Sequence, residues 1–139
     1  MKNALALLIL LTAATSAYAA ENCVEPPLGG FSVGEKVVAD LDGPTFSEAT
    51  VDGISGDYVS IKFPDGGTGN LRTKYVAHWP AAVPACFKVG DRVVAHAEKR
   101  IWKDARIAEL SGENVVVVFF DGKRETKKLS EIVRFPTRY

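Results

Sequence analysis

The chain has 139 residues, 47% of them hydrophobic and 24% charged, and its 17 basic and 17 acidic side chains leave a formal net charge of zero. That balance excludes the strongly basic footprint of a nucleic-acid-binding domain. The two histidines, His78 and His96, belong to no ligand motif, and no Gly-x-Ser-x-Gly, phosphate loop or His-Glu-x-x-His is present, which removes the common hydrolase, nucleotide and metalloprotease signatures.

Residues 1–20 read as a signal peptide. Lys2 supplies the positive start, Ala4 to Ala14 an apolar stretch, and Ala17-Tyr18-Ala19 an A-x-A cleavage site. The apolar stretch is about half of the ~20 residues a spanning helix needs, so no membrane span is expected after cleavage. Cys23 follows Glu21-Asn22, which does not fit a lipoprotein site. The mature chain is therefore expected in the periplasm or outside the cell.

Cys23 lies in the lead-in, residues 21–30, and Cys86 closes the linker, residues 81–86. An even cysteine count in an exported chain points to a disulfide, with one intramolecular pairing available. It would close a loop of about 60 residues and contribute roughly 3–4 kcal/mol in the chain-entropy model. Metal or redox use is the alternative, without CxxC or Cys/His spacing to support it. No cofactor and no metal site is expected.

The first folded segment, 31–80, is expected to be a short antiparallel β unit. Val37-Val38-Ala39 opens a strand, Asp42-Gly43-Pro44 turns, and a second strand runs from about Glu48 to Ile54. Gly56-Asp57 leads into Tyr58 to Phe63, where Val59, Ile61 and Phe63 alternate with Tyr58, Ser60 and Lys62, the period of a strand with one buried face. Pro64-Asp65-Gly66-Gly67 is a hairpin turn, and a fourth strand and a closing segment Tyr75–Trp79 complete the unit. Five short strands in about 50 residues suggest a small, partly open barrel, and long helices are not expected.

The segment 87–136 repeats this pattern without a gap. Phe31-Ser-Val-Gly-Glu-Lys-Val-Val-Ala39 returns as Phe87-Lys-Val-Gly-Asp-Arg-Val-Val-Ala95, an offset of 56, and Ala49, Gly56, Phe63, Asp65-Gly66 and Pro80 return as Ala105, Gly112, Phe119, Asp121-Gly122 and Pro136. Two units this small gain stability by sharing an interface. The strand Val115 to Phe120 differs from its counterpart in being apolar on both faces, with Val116 and Val118 at the positions of Ser60 and Lys62 and Phe120 at that of Pro64. Such a strand is expected to pack against the other repeat or its linker, or else to expose a partner or homodimer surface.

Charge divides by repeat. The first carries four cations and seven carboxylates, a net of −3; the second carries eleven and eight, a net of +3. Lys99, Arg100, Lys103, Lys123 and Arg124 fall at two hairpins flanking one end of the second unit, a candidate surface for an anionic polymer, a lipid surface or a neighbour's acidic repeat, or else a solvated face.

Phe87 to Ala95, Ile101-Trp-Lys-Asp-Ala-Arg-Ile107, Val115 to Gly122 and Leu129-Ser-Glu-Ile-Val133 together resemble a Tudor domain, and the first repeat is similar through Phe31–Ala39, Phe46–Val51 and Val59–Gly66. The resemblance implies an all-β fold of two tandem five-stranded SH3-like/Tudor-like barrels, and a non-catalytic binding module. The family's aromatic cage for methylated cations maps onto Leu41 and Ala97, Phe46 and Trp102, Phe63 and Phe119, and Gly66 and Gly122, so only two of four walls in each repeat are aromatic. The candidate binding residues are Trp102, Phe46, Lys99, Arg100, Lys103, Lys123, Arg124 and Phe120. The expected partner is an unidentified protein; an envelope polymer such as peptidoglycan or an anionic glycan is the alternative, with a purely structural or dimerising unit, through Val116, Val118 and Phe120, as the third.

Overall fold

The structure is a computed structural model that describes residues 28–80 and 86–136. The segment expected to be a signal peptide, Cys23 with its expected bond to Cys86, and most of the linker lie outside the described residues. The chain is all-β. Strands β1 (Lys36–Asp40), β2 (Thr45–Ser55), β3 (Tyr58–Lys62), β4 (Thr68–Arg72) and β5 (Val76–His78) form the first unit. Strands β6 (Arg92–Glu98), β7 (Ile101–Ser111), β8 (Asn114–Phe119), β9 (Arg124–Lys128) and β10 (Ile132–Arg134) form the second. A single 3₁₀ turn precedes the last strand of each, at Thr73–Tyr75 and Leu129–Glu131.

Within a unit all pairing is antiparallel, in the order β5-β1-β2-β3-β4 and β10-β6-β7-β8-β9. The long second strand bends at a register shift, between Val51 and Gly53 in one copy and between Ile107 and Glu109 in the other, so that it serves both halves of its unit. β3 obeys its predicted alternation: Val59 and Ile61 are buried, whereas Tyr58 and Lys62 are exposed. They join Val37, Ala39, Ala49, Val51 and Val76 in one core. The second core holds the equivalent Val93, Ala95, Ala105, Ile107, Val115, Val117 and Ile132, with Phe87 and Phe119 added.

The turn after β3 shows why its sequence recurs. The N–H of Gly66 donates to the carbonyl of Phe63 at 2.9 Å, and Gly122 does the same to Phe119 at 2.8 Å. Each glycine sits at positive φ, +96° and +92°, where a Cβ would be strained. The preceding aspartate closes the turn, Asp65 accepting from the Gly67 N–H and Asp121 from the Lys123 N–H.

The two units are joined edge to edge. β2 pairs with β7, with Thr45 opposite Lys103, Phe46 opposite Trp102 and Ser47 opposite Ile101, making one ten-stranded sheet. Phe46 and Trp102 are separated by the repeat offset of 56, so this register sets equivalent residues against each other about a local two-fold axis. A third core forms there from equivalent pairs: Val38 with Val94, Phe46 with Trp102, Ala77 with Val133, and Trp79 with Phe135 packed against them. The joint therefore runs through β2 and β7. The doubly apolar β8 was expected to pack against the other repeat or its linker, or else to expose a partner surface; Val116 and Val118 are half-buried and Phe120 is 55% exposed.

Candidate functional site

The joint is built from matched interactions. Lys36 pairs with Glu48 at 3.6 Å in one repeat, and Arg92 pairs with Asp104 at 2.7 Å in the other. Lys36 lies over the Trp79 ring at 4.1 Å, and Arg92 over Phe135 at 3.8 Å. Trp79 meets Trp102 at 5.4 Å between ring centroids, and Phe135 meets Phe46 at 5.7 Å. The N–H of Glu48 donates to the Arg100 carbonyl at 3.0 Å, and that of Asp104 to the Pro44 carbonyl at 2.9 Å. Every one of these contacts has its mate at an offset of 56 across the axis.

The hydrogen bond of Trp102 has no mate. Trp102 Nε1 donates to Glu48 Oε2 at 3.0 Å, whereas its equivalent, Phe46, has nothing to donate. Glu48 is thus held at both oxygens, by the indole on one and Lys36 on the other. On the other side of the axis Arg92 grips Asp104 through Nε at 3.1 Å and Nη2 at 2.7 Å. That hydrogen bond with Asp104 holds the Arg92 guanidinium above its ordinary pKa, against partial burial.

Beside the joint an open groove of about 480 Å3 is lined by Lys36, Glu48, Ala49, Thr50, Lys62, Phe63, Pro64 and Arg100. Register explains its make-up: Lys36 is paired with Thr50 and Thr50 with Lys62, so these side chains share the outer face of adjacent strands. Arg100 reaches it from the turn between β6 and β7 of the other repeat. Docking of the repeats adds Arg100 to a groove otherwise lined by the first repeat.

The residues expected to carry binding separate into three groups. Trp102 and Phe46, expected as candidate binding residues, are 2% and 0% exposed and are buried in the core of the joint. Lys103 is half-buried opposite Thr45, at the same seam. Arg100 lines the groove, whereas Lys99 forms the turn beside it at φ +49°, its carbonyl accepting a hydrogen bond from His96 Nε2 at 2.7 Å. Lys123 pairs with Glu125 at 3.4 Å, and Arg124 pairs with Glu109, away from the groove. Phe120 is exposed.

The sequence reading missed Lys36 and Lys62. Both are single cations in the acidic repeat, and only the strand register brings them to one face. Of the cage positions, Phe119 is buried in the core of the second unit and Phe63 packs against that of the first. Among the described residues no group of three or more His, Cys, Asp or Glu is placed to hold a metal ion.

Comparison with known proteins gives two kinds of result. No protein-family model matches the chain, and no curated protein does. Among solved structures, the crystal structure of Arabidopsis thaliana AGDP1 AGD34 is similar at 15% identity and a TM-score of 0.49, over 75% of this chain and 82% of that one. The crystal structure of the ADCP1 tandem Agenet domain 3-4 is similar at 14% identity and a TM-score of 0.46, over 75% and 79%.

Proposed function

We propose that the chain is an exported, non-catalytic, Tudor-like protein-interaction module, tied by a Cys23–Cys86 disulfide, that binds its partner at the joint between its repeats. The observation that carries this reading is the groove of Lys36, Lys62, Phe63 and Pro64 of the first repeat, to which the second contributes Arg100. A concave site with a few convergent polar groups beside apolar walls is the ordinary form of a binding site. The aromatic pairs around it pack the joint and leave no open cage, so a methylated cation is not the ligand assigned here.

A photo-crosslinker at Lys62, with a control at Glu113 on the far turn, tests the reading in an envelope extract. Crosslinks from Lys62 alone to a defined protein support it. Crosslinks to peptidoglycan or an anionic glycan favour the polymer reading, and equal yields from both positions remove the groove as the site. A second reading is a homodimer through Val116, Val118 and Phe120, favoured by the 55% exposure of Phe120. Sedimentation of the wild type and Phe120→Asp distinguishes it: a dimer lost on substitution supports this surface, and a wild-type monomer rejects it.

A further inference from the structure

We propose that the groove takes an acidic peptide segment, with one or two Glu or Asp side chains paired to Lys62 and Arg100, an inference that rests on the reading of the chain as a protein-interaction module. Three cations and one carboxylate line the groove, and one cation is already used. Glu48 is fixed by Trp102 and neutralises Lys36. Lys62 and Arg100 form no side-chain ion pair among the described residues, so two uncompensated positive charges face the groove. Phe63, Pro64 and Ala49 supply an apolar wall against which the methylene stem of a glutamate can lie.

The two-fold relation provides an internal comparison. Across the axis, Val118 stands at the position of Lys62, Pro44 at that of Arg100 and Phe120 at that of Pro64. On that side Arg92 is neutralised by the Asp104 carboxylate, whereas Arg106 donates to the Gly90 carbonyl at 3.2 Å and keeps its charge. The framework was thus kept on both sides, with two uncompensated cations, Lys62 and Arg100, on one and a single one, Arg106, on the other. A long polyanion fits this poorly, because the groove is set in the repeat whose net charge is −3 and such a polymer would run on past Asp52, Asp57 and Asp65. A short acidic stretch inside an otherwise uncharged segment satisfies the two cations and stops there.

The test is a titration of the full chain with a fluorescent peptide carrying two adjacent glutamates among apolar residues, beside its Gln counterpart and a sulfated oligosaccharide. The Glu peptide is expected to bind with one site per chain, more weakly as salt rises. Lys62→Val and Arg100→Ala should each weaken it about two- to five-fold, the range for solvent-exposed ion pairs. Valine already occupies the equivalent position, so Lys62→Val tests charge without disturbing the strand, and unchanged thermal melting confirms it. The combined Pro44→Arg and Val118→Lys variant should bind two peptides per chain. Equal binding of the Gln peptide, or no loss in Lys62→Val, overturns the proposal, as does preference for the oligosaccharide. If the peptide fails while Lys62 still crosslinks to a protein, the ligand class falls and the interaction module stands; if both fail, both fall.

Discussion

Phe46 and Trp102 occupy the same position of the two repeats and lie directly opposite each other across the β2–β7 pair. Both are buried, and each packs against the aromatic residue that closes the other repeat, Phe135 and Trp79 respectively. Trp102→Ala is expected to cost about 3–5 kcal/mol in urea unfolding, the range for removing a large buried aromatic. Trp102→Phe, which copies the other repeat, should cost only about 1–2 kcal/mol, because it removes one hydrogen bond to Glu48 and keeps most of the packing.

The two cations of the joint are expected to differ in worth. Arg92 holds Asp104 through two nitrogens while stacked on Phe135, and Asp104 is only 16% exposed. Arg92→Ala should cost about 1–3 kcal/mol, and Arg92→Lys should recover part of it, since an ammonium cannot make the fork. Lys36→Ala, which breaks one 3.6 Å ion pair and the contact with the Trp79 ring from a 54% exposed side chain, should cost only about 1 kcal/mol.

How much of this was legible beforehand follows from what each residue is asked to do. The five strands of a unit and the turns at Gly56, Gly66, Gly112 and Gly122 could be read because alternation and turn chemistry are local. The joint could not: Phe46 and Trp102 carry the same local signal whether they face solvent, a ligand or each other. The burial that decides between these comes from pairing across more than fifty residues of chain. The groove was hidden for the same reason, because Lys36 and Lys62 are brought together only by the β1–β2–β3 register.

Lys99 should be a position of stored strain. It stands where the first repeat has Gly43, and it adopts φ +49° against +96° for that glycine. A side chain there costs roughly 1–2 kcal/mol, partly offset by the greater freedom glycine gives the unfolded chain. Lys99→Gly is therefore expected to raise stability by about 0.5–1 kcal/mol in chemical denaturation.

Acid dependence provides a check on the β1–β2 turn. Burial raises the Asp40 carboxyl above its ordinary range, opposed by the Gly43 N–H it accepts from at 2.8 Å and reinforced by Asp42. A carboxyl raised by folding contributes stability below the unfolded value, about pH 4, and that contribution is lost as pH rises through the folded value. Asp40→Asn keeps the acceptor and removes the charge. It should stabilise the protein near neutral pH and make no difference once the pH is well below the carboxylate range, as read from melting temperatures across pH.

The central claim is that one groove, built by both repeats, receives the partner. Backbone amide shifts in a ¹H–¹⁵N titration with the acidic peptide test it most directly. The account predicts that Thr50 and Phe63 of the first repeat and Arg100 of the second move together along one saturating curve, with β9 unmoved. Shifts confined to a single repeat, or centred on Phe120, would contradict it.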